Sequence, residues 1–120
     1  MLGKSEEKAL RKLRKELRSG LYSFLVLSIL EREGELHGYA IRKRLEELSG
    51  GKLVPQRGGA LYDLLKSLKK LGLLQDSWAE AGGRPRKYYS ITEMGGRSVL
   101  AQLREEIRVI ESVLEKLEGL

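Results

Sequence analysis

Apolar residues recur at helical spacing along most of this chain, and the places where the spacing breaks divide it into elements. Over residues 5–18, Ala9, Leu10, Leu13 and Leu17 fall on one face and Lys or Arg fills the other, with Ser5 as a candidate N-cap. Ser19 and Gly20 interrupt that pattern. The following "LYSFLVLSILE" is apolar on most sides, as a helix at the centre of a core would be, and Gly34 ends it. In "HGYAIRKRLEEL" the residues Ile41, Leu45 and Leu48 predict a helix with one buried edge, closed by Gly50 and Gly51. The stretch "GGALYDLLKSLKKLG" sets Leu61, Leu64, Leu65, Leu68 and Leu71 on one face and Tyr62, Asp63, Lys66, Lys69 and Lys70 on the other.

After Gly72 the period changes. "LLQDSWAE" and "RKYYSIT" read as strands, and "AGGRP" between them supplies the turn of a hairpin. Alternation places Lys87, Tyr89 and Ile91 on one face; with Ile91 toward the core, Tyr89 packs inward while Tyr88 and Arg86 point out. Thr92 is a natural N-cap for a final helix, with Glu93 in its first turn. There Leu100, Leu103, Ile107, Ile110, Leu114 and Leu117 alternate by three and four, the a/d seam of a coiled coil. A second copy of the chain is the expected partner for that seam, with the first two helices of the same chain as the alternative.

The expected architecture is mainly α with a small β-hairpin. Residues 1–19 form an N-terminal basic amphipathic helix, 20–92 a winged-helix DNA-binding domain, and 93–120 a C-terminal dimerisation helix. A three-helix unit followed by a two-stranded hairpin is the winged variant of helix-turn-helix, in which one helix enters the major groove and the hairpin tip reaches the backbone or minor groove.

Charge sharpens that reading. The chain has a formal net charge of +6, which suits a polyanionic partner. The excess lies in two blocks: residues 1–20 hold seven cations against three carboxylates, and residues 52–97 hold nine against four. Residues 98–120 reverse the sign, with three against five. The chain has no cysteine and one histidine, which excludes a disulfide framework and leaves almost nothing for a metal. No cofactor is expected, and the scattered carboxylates offer no nucleophile with a base, so an enzyme is not expected either. "GGK" at 50–52 lacks the upstream glycine and the following hydroxyl of a phosphate loop. The apolar run near 24–30 is too short for a membrane span, and the charged N-terminus does not read as a secretory signal, so a cytoplasmic location is expected.

Double-stranded DNA is therefore the expected partner. Arg84, Arg86 and Lys87 on the wing have the charge for phosphates or a narrow minor groove. Lys66 and Tyr62 on the recognition helix, Gln56 and Arg57 just before it, and Tyr39 at the start of the preceding helix complete the candidate contacts. Tyr62 has an alternative as a half-buried ring bridging helices, and Tyr39 as a packing residue. His37 reads as a turn or capping residue, and Trp78 as a ring at the core or the wing root.

"GLYSFLVLSILEREGELHGYAI", "GGALYDLLKSLKKLGLL" and "GRPRKYYSITEMG" together resemble the PadR-like transcriptional regulators over residues 20–97. The resemblance implies a winged helix, a homodimer built through the C-terminal helix, and repression at an inverted-repeat operator, often released by a small molecule. The single C-terminal helix is similar to the short subgroup of that family. Where the family commonly has Thr and Pro beside the Leu-Tyr pair, this chain has Ala60 and Asp63. Residues 94–120 contain no aromatic residue to stack on a flat drug. The competing readings are a non-specific architectural DNA protein, and a ligand- or protein-binding module on the same fold.

Overall fold

The computed structural model describes residues 1–55 and 59–120. Its elements run α1 (Lys4–Glu33), β1 (Leu36–His37), α2 (Gly38–Ser49), α3 (Ala60–Lys70), β2 (Leu74–Ala81), β3 (Arg84–Ile91) and α4 (Gly96–Glu118). This is a winged helix-turn-helix with a long helix at each end. Its core is one cluster to which every α-helix and both long strands contribute, with Leu27, Leu30, Ile41, Leu61, Leu65 and Leu100 fully or almost fully buried.

The first helix departs from expectation. Residues 4–33 form one helix of 30 residues, begun at Gly3 rather than Ser5, and Ser19 and Gly20 do not break it. An isolated glycine costs a helix only about 1 kcal/mol and removes no hydrogen bond. Leu10, Leu17 and Phe24 are also seven residues apart, so the apolar pattern keeps its phase across Gly20 and the turns on either side support one another.

The sheet has three strands in the order β1-β3-β2, all antiparallel. The hairpin was legible from the sequence and β1 was not: Leu36 and His37 pair with Tyr89 and Tyr88, a two-residue strand too short to carry a period. The wing turn is tighter than "AGGRP", because only Gly82 and Gly83 separate the strands. Their φ values of 61° and 79° are the left-handed pair that a type I′ hairpin requires. Alternation holds as expected, with Tyr89 and Ile91 buried.

Three helix ends also differ. Leu48 is exposed, leaving Ile41 and Leu45 as the buried edge of α2. Leu71 is exposed because α3 ends at Lys70 and the chain reverses through Gly72 at φ 78°. Thr92 stands one turn ahead of α4 rather than at its N-cap, which is Gly95. Its hydroxyl nonetheless accepts the Gly96 N–H at 2.7 Å and donates to the carbonyl of Gly72 at 2.7 Å.

The C-terminal seam is divided. Leu100 is buried in the core of its own chain, Leu103 packs against that core and Ile107 is half-buried, whereas Ile110, Leu114 and Leu117 are exposed together with Val109 and Val113. Leu10, Leu13 and Leu17 of α1 are exposed as well. The radius of gyration is 16.7 Å, against about 13.6 Å for a compact chain of this length, because the outer halves of the two long helices stand away from the core.

Gly96 and Gly20 give opposite expectations for the same substitution. A Cβ on Gly96 would lie 2.3 Å from the Leu73 carbonyl oxygen and 2.5 Å from Ile91 Cγ1, whereas one on Gly20 meets nothing within 4 Å. In urea titrations, Gly96→Ala is expected to lose about 1–3 kcal/mol by overpacking, and Gly20→Ala to gain about 0.5–1 kcal/mol from helix propensity. Equal effects would refute this account of the α4 junction.

Candidate DNA interface

The start of α2 and the root of the wing meet at His37. Pairing of β1 with β3 places the imidazole over the sheet edge, where Nδ1 accepts the N–H of Ala40 at 3.1 Å and so caps α2. Nε2 lies 3.0 Å from Nη1 of Arg86. The ring is edge-on to Tyr88, with centroids 5.5 Å apart. A neutral imidazole carries one N–H and one lone pair, and the imidazolium carries no lone pair at all. The N–H of Ala40 takes that one lone pair at Nδ1, so the cap demands the uncharged ring, whose Nε2–H then faces the guanidinium of Arg86, itself a donor only. Burial, and then the positive charge of Arg86, hold the His37 pKa below its ordinary value.

On α3 the leucines at 61, 65 and 68 turn inward and leave Tyr62, Asp63 and Lys66 exposed. Tyr62 is half exposed and packs on a neighbouring helix, the bridging position that was its alternative. Its ring lies against Gly38, where a Cβ would come within 2.7 Å of Cε1. Only glycine at the first residue of α2 lets the ring sit there. Asp63 belongs to the first turn of α3, where a carboxylate is favoured by the helix dipole.

The three wing cations differ in their surroundings. Lys87 stands opposite Trp78 in the strand register, its Nζ 5.3 Å from the ring centroid and 3.6 Å from Asp76 Oδ2. Lys69 reaches the same carboxylate oxygen from α3 at 3.0 Å. The Lys69 hydrogen bond holds the Asp76 carboxyl below its ordinary range, with burial opposing and the charges of Lys69 and Lys87 reinforcing the effect. Arg86 lies beside His37, and Arg84 at the turn is exposed with no carboxylate partner among the described residues.

Tyr39, Tyr62, Arg84, Arg86 and Lys87 line one open cleft of about 340 Å³ between the start of α2, α3 and the wing, and no carboxylate lines it. Lys66 lies outside that cleft, on the exposed face of α3. Gln56 and Arg57 fall outside the described residues. Sequence reasoning missed Asp76 as the tether of the wing and Gly38 as the seat of Tyr62. Asp76 carried a signal, since it stands two residues from Trp78 on the strand face that continues the core. Gly38 carried none, because only the packed structure brings it to α3. Among the described residues there is no group of His, Cys, Asp or Glu able to hold a metal, and no helix long and apolar enough to cross a membrane.

Residues 26–102 match the family model described as "Transcriptional regulator PadR-like family". Among solved structures, a PadR family transcriptional regulator from Eggerthella lenta is 33% identical, covers 96% of each chain and superposes with a TM-score of 0.77. A transcriptional regulator from Clostridium thermocellum is 28% identical over 84% of this chain and 96% of its own, with a TM-score of 0.73. A PadR family transcription regulator from hypervirulent Clostridium difficile is 28% identical over 79% and 95%, with a TM-score of 0.67. No curated protein matches the sequence.

The depressed pKa of His37 fixes the sign of one pH effect. The folded state binds its proton less readily than the unfolded chain does. The stability contributed by the neutral ring is present above the unfolded pKa and is lost as pH falls through the ordinary imidazole value toward the folded one. Thermal melts from about pH 7.5 to about pH 5.5 are expected to show a falling midpoint. His37→Asn keeps a capping oxygen without titrating, so its midpoint should fall less over the same range. A parallel fall in both proteins would remove His37 as the cause.

Proposed function

The chain belongs to the PadR-like family of transcriptional regulators, and from that premise we propose that it represses transcription as a homodimer on an inverted-repeat operator in double-stranded DNA. The observation that carries the reading is the carboxylate-free cleft that sets the wing cations opposite Tyr39 and Tyr62. In this reading α3 lies in the major groove with Lys66 and Tyr62 toward the DNA, and Arg84, Arg86 and Lys87 grip the phosphates or the adjacent minor groove. Gln56 and Arg57, which precede α3 in the sequence, are proposed as further DNA contacts in the same reading.

Dimerisation is supported by the uncovered half of the seam. Ile110, Leu114 and Leu117 on α4 and Leu10, Leu13 and Leu17 on α1 form apolar stripes left in water by one chain alone, a liability that a second copy removes. The two stripes differ in charge, since the α1 half is basic and the α4 half acidic. Two recognition helices held this way would read half-sites about 34–36 Å apart.

Selection of bound fragments from a random DNA pool tests the central reading. At about 150 mM salt, where purely electrostatic binding is suppressed, enrichment of an inverted repeat is expected. Binding without enrichment would replace the operator-specific reading with an architectural one, and absence of binding would end both. Changing Arg84, Arg86 and Lys87 together to Ala is expected to weaken affinity and to lower the slope of log Kd against log salt by about 0.9 for each phosphate no longer neutralised. An unchanged slope would remove the wing from the interface. For the dimer, Ile110→Glu with Leu114→Glu is expected to halve the mass in sedimentation equilibrium; a wild-type mass equal to one chain would overturn the dimer outright.

A further inference from the structure

We propose that the basic face of α1 is a second phosphate-binding surface, gripping the DNA strand on the flank of the recognition helix opposite the wing. This inference rests on the DNA-binding reading above and adds an anchor that neither the wing nor α3 provides.

Arg11, Arg14, Lys15, Arg18 and Tyr22 lie at i, i+3, i+4, i+7 and i+11, a single face of the helix. Leu10, Leu13 and Leu17 lie roughly a third of a turn away around the axis, so a partner helix on the apolar stripe leaves the cationic face open. Together with Pro55, Ala60 and Leu64 the cationic face encloses a groove of about 730 Å³ beside the start of α3. The groove is lined by four cations and no carboxylate. None of the four cations pairs with a carboxylate among the described residues. Four like charges gathered in one groove repel one another, and a polyanion relieves that repulsion.

The position of the groove selects the polyanion. Ala60 and Leu64 lie on one flank of α3, and Tyr62, which faces the wing cleft, lies on the other. The two cationic clefts therefore straddle the recognition helix. A helix seated in the major groove, about 12 Å wide, has a phosphate strand along each side. The wing supplies cations to one strand and α1 supplies them to the other. Between the charges the groove is walled by Tyr22, Pro55, Leu64 and the stems of the arginines, a surface for the apolar edges of deoxyribose.

The test is the salt dependence of binding to a 30-base-pair mixed-sequence duplex, which requires no knowledge of the operator. Arg11, Arg14, Lys15 and Arg18 are changed together to Gln, and in a second variant Arg11, Arg14 and Arg18 become Lys. The Gln variant is expected to lose slope in log Kd against log salt, by about 0.9 for each phosphate left without its cation, at unchanged sedimentation mass. The Lys variant should keep the slope. If the Gln variant fails to fold, Arg14→Gln and Arg18→Gln singly should each lower the slope by about 0.9 per protomer. A slope unchanged in the Gln variants but lowered by the wing variant would overturn this inference and leave the DNA reading standing. A groove built for a small amphipathic anion would give that same unchanged slope. If the wild-type protein binds no duplex, the DNA reading itself falls and takes this inference with it.

Discussion

The structure depends on one hydroxyl. Thr92 Oγ1 accepts the N–H of Gly96 at 2.7 Å and donates toward the carbonyls of Gly72 and Leu73 at 2.7 and 3.2 Å. Those few atoms join the end of α3, the start of β2, the end of β3 and the start of α4. The backbones come so close there that Gly96 has no room for a Cβ. Because α4 leaves the sheet at that point, Leu100 reaches the core one turn later. Arg97 and Arg104, seven residues apart, close on opposite oxygens of Glu31 at 3.7 and 2.7 Å. The wing at one end of the β-ribbon and the free stripe of α4 at the other are thus joined through one short junction.

Tethering at the wing is graded along its length. Lys87, nearest the core of the three cations, is held by Asp76 and Trp78; Arg86 lies against an imidazole; Arg84 at the tip has no carboxylate partner among the described residues. Asp76 is the shared anchor, since Lys69 binds it from α3 and Lys87 from β3. It couples the recognition helix to the wing by charge as well as by packing. Exposed pairs of this kind contribute up to about 1 kcal/mol each, so the arrangement directs side chains more than it stabilises the fold.

Much of this was legible in the sequence because period carries it. The inward turn of Tyr89 and Ile91, the leucine face of α3 and the hairpin itself each follow from spacing over several residues. What was missed lies where spacing is silent. β1 is two residues long, so its existence depends on β3 being beside it and not on Leu36 and His37 themselves. Gly20 reads as a break because glycine weakens helices, yet the in-phase residues on both sides outweigh so small a cost. Thr92 has the capping chemistry its type predicts but sits one turn before the helix, because Glu93 and Met94 form a turn ahead of α4. Among the candidate DNA-binding residues, the cleft gathers side chains from three elements that are adjacent only after folding. The a/d seam is uniform in sequence, and only packing distinguishes Leu100 in the core from Leu114 in water.

Carboxylates follow the same division of the molecule. Of those near α3 and the wing, Asp63 sits in the first turn of its helix and Asp76 is bound by two lysines, while Glu80 is exposed on β2. Glu31 and Glu33 tie α1 to α4 and α2. Five of the remaining carboxylates lie on the outer part of α4, where Glu105, Glu106, Glu111, Glu115 and Glu118 outnumber Arg108 and Lys116. A net charge of +6 understates what an approaching polyanion meets, because its positive part is concentrated beside α3 while the acidic helix projects from the core. Electrostatic attraction to a polyanion therefore favours an approach with the α3 side foremost and the α4 stripe turned away.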